Sequence, residues 1–278
     1  MSAARSKALL VVLAIAWACP FQAQPASTPG EPLPPDRQRE ILREALNAFE
    51  RAVDVAREDP TAAEKLYRKS AAGFETLLDA AACNAALHYN LGNTCFRLGE
   101  YGRAILHYRR AQRIDPTDPA LQTNLQYARN RVEPYIAPTG GQRLVHRLAI
   151  WTNYTSILQR FWLATIAGLA GWLGLTLWLR WRARPLLVLA CLAIVIGLAN
   201  AATVGWQLHD ESHHPQAVVV GSEHVLRVGA GEGYDAALTQ PLGPGVELRI
   251  LSRRGEWVEV ELRDAKTGWL RADAVERI

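Results

Sequence analysis

Two long apolar runs separated by five residues constrain this chain more than any other feature. Residues 161–179 and 185–208 contain no acidic or basic side chain. As a helix rising 1.5 Å per residue, the first reaches ~28 Å, close to the hydrocarbon thickness of a bilayer. The second is longer and tilts. Residues 180–184 between them leave room only for a tight turn. Arg180, Arg182 and Arg184 place that turn in the cytoplasm by the positive-inside rule, and both flanks on the far side. Trp162 and Trp206 mark the outer interface, Trp178 and Trp181 the inner one. Gly197, Ala201 and Gly205 on one span, and Gly168, Gly171 and Gly174 on the other, predict a close packing seam. Asn200 is expected to make an interhelical hydrogen bond. The spans hold no acid, no His and no broken helix that would suggest transport.

The distribution of charge agrees with this topology. The chain has 278 residues and a net charge of +4. Residues 142–184 hold six basic and no acidic residues, whereas residues 185–278 hold eight basic and twelve acidic ones. The basic residues therefore flank membrane segments, which argues against nucleic acid as a partner and for membrane lipid. Residues 142–160, with Arg143, Arg147 and Arg160 among Leu, Ile and Trp, read as an interfacial amphipathic segment. Arg5 and Lys7 followed by a short apolar run read as a signal peptide over 1–23, which demands the same orientation. Trp17 and Pro20 flank Cys19 poorly for lipidation. Residues 24–35 are a Pro-rich linker.

Residues 36–133 are helical by period, with Asp36 as the expected N-cap of the first helix and Pro60 interrupting it. His88, Leu91, Gly92 and Cys95, then Ala104, Tyr108, Ala111 and Pro116, resemble the tetratricopeptide (TPR) repeat consensus of about 34 residues. One repeat length earlier stand Phe74 and Leu77, which suggests a degenerate repeat over 51–84. A closing helix follows over 119–132. Such stacks present a concave groove to a peptide. The resemblance implies Tyr89, Asn93, Phe96 and Arg97 in that groove, with Tyr127 and Arg131 from the next helix. Twelve helical residues between Cys83 and Cys95 span ~18 Å, so no disulfide joins them.

Residues 209–216 form a polar linker. His209, His213 and His214 raise a metal-site reading, but a membrane-exit linker is the simpler one. Over 217–278 the period changes. Residues 217–220, 225–228, 246–251, 257–262 and 268–270 read as short strands. Five strands in about 60 residues make a small barrel rather than a sandwich. The residues around Leu226, Gly243, Gly245, Trp257 and Trp269 resemble a bacterial SH3 (SH3b) domain. That resemblance implies Trp257 and Trp269 as core or groove wall, with Tyr234 in a bordering loop.

The expected fold is thus an α-helical TPR domain, a two-span transmembrane hairpin and a small all-β SH3-like barrel. This order, with residues 87–93, Gly102–Ile105 and Asp118-Pro119, resembles the TPR/SH3 membrane proteins of bacterial aerotolerance (BatE-type) clusters. The resemblance implies membrane-anchored von Willebrand A-type proteins and a MoxR-type AAA+ ATPase as neighbours. It implies an inner-membrane protein with both soluble regions outside the cytoplasm. No phosphate loop, nucleophile elbow, Cys–His peptidase context or metal-ligand set occurs, so neither catalysis nor a cofactor is expected. The reading is a protein-interaction scaffold, with an SH3b-mediated peptidoglycan tether as the alternative.

Overall fold

The computed structural model describes residues 33–80, 84–134, 136–137, 155 and 157–278. The expected signal peptide, most of the Pro-rich linker, Cys83 and most of the expected interfacial segment lie outside the described residues.

Five helices come first: α1 (Pro35–Val55), α2 (Pro60–Asp79), α3 (Ala85–Arg97), α4 (Tyr101–Ile114) and α5 (Pro119–Arg129). Four of the five starts, all but that of α4, follow from short polar caps or prolines. Asp59 accepts from the Ala62 amide at 2.9 Å, Asn84 from Leu87 at 2.8 Å and Asp118 from Ala120 at 2.8 Å. Pro60 and Pro119 stand at first positions, where a missing N–H leaves nothing unpaired. α1 departs from expectation. Pro34 precedes it and Pro35 opens it, so Asp36 lies in the first turn and makes no cap. There it still complements the helix dipole and pairs with Arg39 at 2.9 Å.

The α3–α4 pair has the close approach that its small residues require. A Cβ on Gly92 would lie 2.6 Å from the Tyr108 ring, so only glycine admits that ring. Leu91, Cys95, Ala104, Tyr108 and Ala111 are all buried around it. Phe74 and Leu77 are buried in α2 in the same way. The expected repeat over 51–84 is nevertheless not reproduced in full. α2 runs unbroken through residues 64–66, where the α3–α4 turn at 98–100 would recur, and the chain turns at 56–59 instead.

Two helices, α6 (Ile157–Trp181) and α7 (Arg184–His213), are long and apolar enough to cross a membrane. They pack side by side and extend beyond the expected bounds. Residues 157–160 are the first turn of α6, and 209–213 are the last turn of α7 rather than linker. Of the expected turn, only Arg182 and Ala183 are non-helical. A Cβ on Gly171 would meet Ile194 at 2.5 Å, one on Gly174 would meet Ala190 at 2.8 Å, and one on Gly197 would meet the Ala164 carbonyl at 3.2 Å. The seam is confined to these positions, since Gly205 faces open space and Ala201 is exposed. Asn200 is buried, but its amide donates to the Ile196 carbonyl of its own helix at 2.8 Å, because that carbonyl lies one turn back. The polar link between the helices is instead Arg160 to Gln207.

The C-terminal region is a five-stranded antiparallel sheet of β1 (Gln216–Val219), β2 (Glu247–Arg254), β3 (Trp257–Leu262), β4 (Thr267–Arg271) and β5 (Val275–Arg277), ordered β4-β3-β2-β1-β5. Alternation sets its faces: Val258, Val260 and Leu262 are buried while Trp257, Glu259 and Glu261 point outward. The expected strand at 225–228 makes only isolated bridges, from Arg227 to Ala236 and to Trp269. The fifth strand is β5, after a 3-10 turn at Ala272–Ala274.

Sheet and helices pack directly against each other. Val218 of β1 belongs to the helical core, joined by Val220 and Ile278, while Val132 and Ile136 pack into the core of the sheet. Gly102 makes the approach possible: a Cβ there would lie 2.9 Å from the Val219 carbonyl and 3.0 Å from both the Gly245 amide and Pro244. Gly245 has φ +99°, and its amide donates to Val219 at 2.8 Å. The Gly243 amide donates to the Glu133 carbonyl at 3.1 Å. Gly102→Val, which forces backbone apart at this contact, is expected to destabilise the chain by about 2 kcal/mol. The expected sign in chemical unfolding is a lowered midpoint with a shared transition for helix and sheet probes.

Candidate functional site

The concave-face residues expected from the sequence are brought together in part. Tyr89 and Asn93 stand one turn apart on α3. The Tyr108 hydroxyl donates to Asn93 Oδ1 at 2.7 Å, and the Asn124 amide donates to the same oxygen at 2.9 Å and to the Tyr89 hydroxyl at 3.1 Å. These contacts tie α3, α4 and α5 at the floor of the face. Burial pushes the Tyr108 phenol above its ordinary range, so it stays a donor. Around this floor Arg97, Tyr127 and Arg131 are exposed. Arg131 lies in the turn after α5 rather than in a helix, because the helix ends at Arg129. Phe96 is half-buried. It packs edge-on against Tyr101 at 5.5 Å and braces the α3–α4 turn. Asn124 was not anticipated. Its position on α5 opposite α3 is what makes it the connecting group.

Two further polar features lie inside the stack. His88 and His107 face each other with Nδ1 atoms 3.2 Å apart, both almost fully buried. One Nδ1 donates and the other accepts, so at least the accepting ring is neutral. Burial, followed by the Arg110 charge, lowers His88 to about 4 and His107 to about 2. The Cys95 thiol is pushed up to about 12 by burial, which leaves it inert.

The strongest electrostatic arrangement lies between helices and sheet. Glu247 at the start of β2 is held by three guanidiniums. Arg129 grips it with two bonds at 2.9 and 2.8 Å, Arg109 Nε lies at 3.1 Å, and Arg263 completes the set. Burial would raise the Glu247 carboxyl, but Arg109, Arg129 and Arg263 outweigh it and hold it at about 2. Beside it, Arg110 bonds Glu276 at 2.9 Å and the Arg277 carbonyl at 2.6 Å, and Arg113 bonds the Ile278 carbonyl at 2.6 Å. None of these residues was anticipated. The available signal was Ala104, Ile105 and Leu106, consecutive apolar residues that cannot all face one side of α4.

On the sheet, Trp257 and Trp269 are half-buried on the outward face of β3 and β4 rather than in the core. The Arg254 guanidinium lies 5.3 Å over the Trp269 ring. Tyr234 is exposed, and its ring lies across Gly229, where a Cβ would meet it at 2.6 Å. Among the described residues no three His, Cys, Asp or Glu side chains converge as metal ligands. Near the end of α7, His213 Nδ1 lies 2.9 Å from the His209 carbonyl, and Asp210 pairs with Arg249 at 3.2 Å.

The tetratricopeptide repeat family profile matches residues 85–118. These residues are α3, α4 and the turn into α5, so the chain contains one such repeat where the Gly92–Tyr108 contact lies. No curated protein and no solved structure matches the chain.

Two predictions follow from the buried charges. Glu247→Gln leaves three guanidiniums facing one another and is expected to destabilise by about 3 kcal/mol, read by chemical unfolding. Both His pKa values are depressed in the folded state. Their stabilisation is fully present above the ordinary 6.5 and is lost as pH falls from 6.5 toward 4. Thermal midpoints measured from pH 7 to 5 are expected to fall, and the fall to flatten in His88→Asn/His107→Asn.

Proposed function

We propose that this chain is a non-enzymatic, membrane-anchored scaffold that presents the concave TPR face to a protein partner. The observation that carries the reading is the division of labour between the two sides of the repeat. The sheet covers the α4 side of the stack through Gly102 and the Glu247 cluster. The α3–α5 side keeps an organised polar floor with Arg97, Tyr127 and Arg131 exposed above it. Guanidinium and amide groups there suit a peptide backbone or a carboxylate. The TPR match at residues 85–118 supports a protein-binding role.

The hairpin supplies the anchor. α6 begins and α7 ends at the same end, where Arg160 bonds Gln207 and the chain passes directly into β1, as an even number of crossings requires. With the arginine-rich turn in the cytoplasm, both regions lie outside it, in the inner membrane of a bacterium. Resemblance to the aerotolerance (BatE-type) proteins makes von Willebrand A-type membrane proteins and a MoxR-type ATPase system the proposed partners. The strand order of the sheet, with β1 between β2 and β5, and the 3-10 turn before β5 support the SH3-like reading. The outward Trp257 and Trp269 favour a second role for that region as a peptidoglycan contact.

A photo-crosslinking residue at Tyr127 in the native host is expected to trap a partner. The yield should fall roughly tenfold with Arg97→Glu/Arg131→Glu. The same residue at exposed Arg68, on α2, serves as control. Equal trapping at both positions would count against the groove. Alkaline phosphatase fused after residue 278 is expected to be active, and inactive when inserted at Arg182.

A further inference from the structure

The turn between α6 and α7 carries a charge that no carboxylate among the described residues balances. No Asp or Glu occurs between Glu133 and Asp210. Asp210 lies near the end of α7, at the opposite end of the hairpin from the turn. Arg180 lies in the last turn of α6, Arg184 opens α7 and Arg182 stands between them, so three arginines fall within five residues. None of the three has an ion pair among the described residues, and all three are exposed. The described carboxylates nearest in sequence, Glu133 and Asp210, each lie more than 25 residues from the turn.

The turn is also shaped. Arg182 has φ +54°, a left-handed conformation that glycine or asparagine normally fills and that costs an Arg about 1 kcal/mol. Its amide donates to the Trp178 carbonyl at 2.7 Å, closing α6. Its guanidinium returns over the Trp178 ring at 5.5 Å. Trp181 is exposed beside it. α7 starts without a side-chain cap, with Pro185 in its first turn, so the positive end of its dipole faces the same space. Trp rings settle at the headgroup level of a bilayer, and a turn with only two non-helical residues cannot carry its arginines beyond that level.

We propose that this turn is a binding site for the phosphate of an anionic phospholipid headgroup, gripped by Arg180, Arg182 and Arg184. The planar fork of Arg bonds phosphate oxygens in pairs, which a Lys ammonium does not reproduce. Stacking on Trp178 fixes the central fork and lowers the entropy lost on binding. The inference rests on the membrane-spanning reading of α6 and α7.

The test uses the purified full chain in nanodiscs of defined lipid, with retained lipid read by native mass spectrometry. Wild type is expected to retain phosphatidylglycerol over phosphatidylcholine by tenfold or more, given about fivefold per basic residue near an anionic surface. Arg180→Gln/Arg182→Gln/Arg184→Gln is expected to lose that preference. The triple Lys variant keeps the charge and the topology signal and is expected to retain only part of it. Equal retention of the two lipids by wild type, or an unchanged preference in the triple Gln variant, overturns the proposal. A chain that enters neither nanodisc and stays soluble without detergent overturns both this proposal and the membrane reading. Insertion into both lipids without preference overturns this proposal alone.

Discussion

The contact between α4 and β1 is the constraint on which the rest of this structure depends. α4 is buried along five consecutive positions, Ala104 to Tyr108, because α3 and α5 cover one side of it and the sheet covers the other. Gly102 is where the two backbones meet, and no larger residue fits between the Val219 carbonyl and the helix. Once β1 is seated there, the placement of much else follows. β2 starts beside α5, β5 runs beside the end of α4, and the residues after α5 are drawn into the core of the sheet.

The electrostatics of this contact follow the usual logic of buried charge. A single carboxylate, Glu247, is surrounded by three guanidiniums, so its ionised form is held firmly while each Arg shares one counter-charge. Such a cluster contributes less net stability than its bonds suggest, since every member has left water. What it does provide is register. Arg263, just past β3, holds Glu247 within the sheet, while Arg129 comes from α5 and Arg109 from α4, and only one placement of the sheet brings both to that side chain.

Much of the architecture was legible because it rests on local rules. Helices α2 to α5 follow from their caps, prolines and period, and the hairpin follows from hydropathy and its arginines. The Gly92–Tyr108 contact was readable from repeat spacing. What escaped the sequence depends on contacts between distant residues. Arg109, Arg129 and Glu247 are ordinary surface-type residues until the sheet docks, and Gly102 reads as a mere helix-start glycine until β1 lies against it. Residues 225–228 have the composition of a strand but no long partner, so alternation alone overstated them. Residues 56–59 break the helices outside the register of the repeat, because Asp59 and Pro60 start a helix wherever they occur.

The same docking has a consequence for how the chain is made. The helical core, drawn mostly from residues before 130, is completed by Val218, Val220 and Ile278, and Arg110 reaches residues 276 and 277. During synthesis the helices emerge long before these strands, with the whole apolar hairpin in between. The side of α4 that β1 will cover, with Ile105 at its centre, must therefore wait uncovered while α6 and α7 are made. Maturation of the helical region is thus timed by the arrival of the sheet, and a chain stopped before β1 would leave the helical core unfinished.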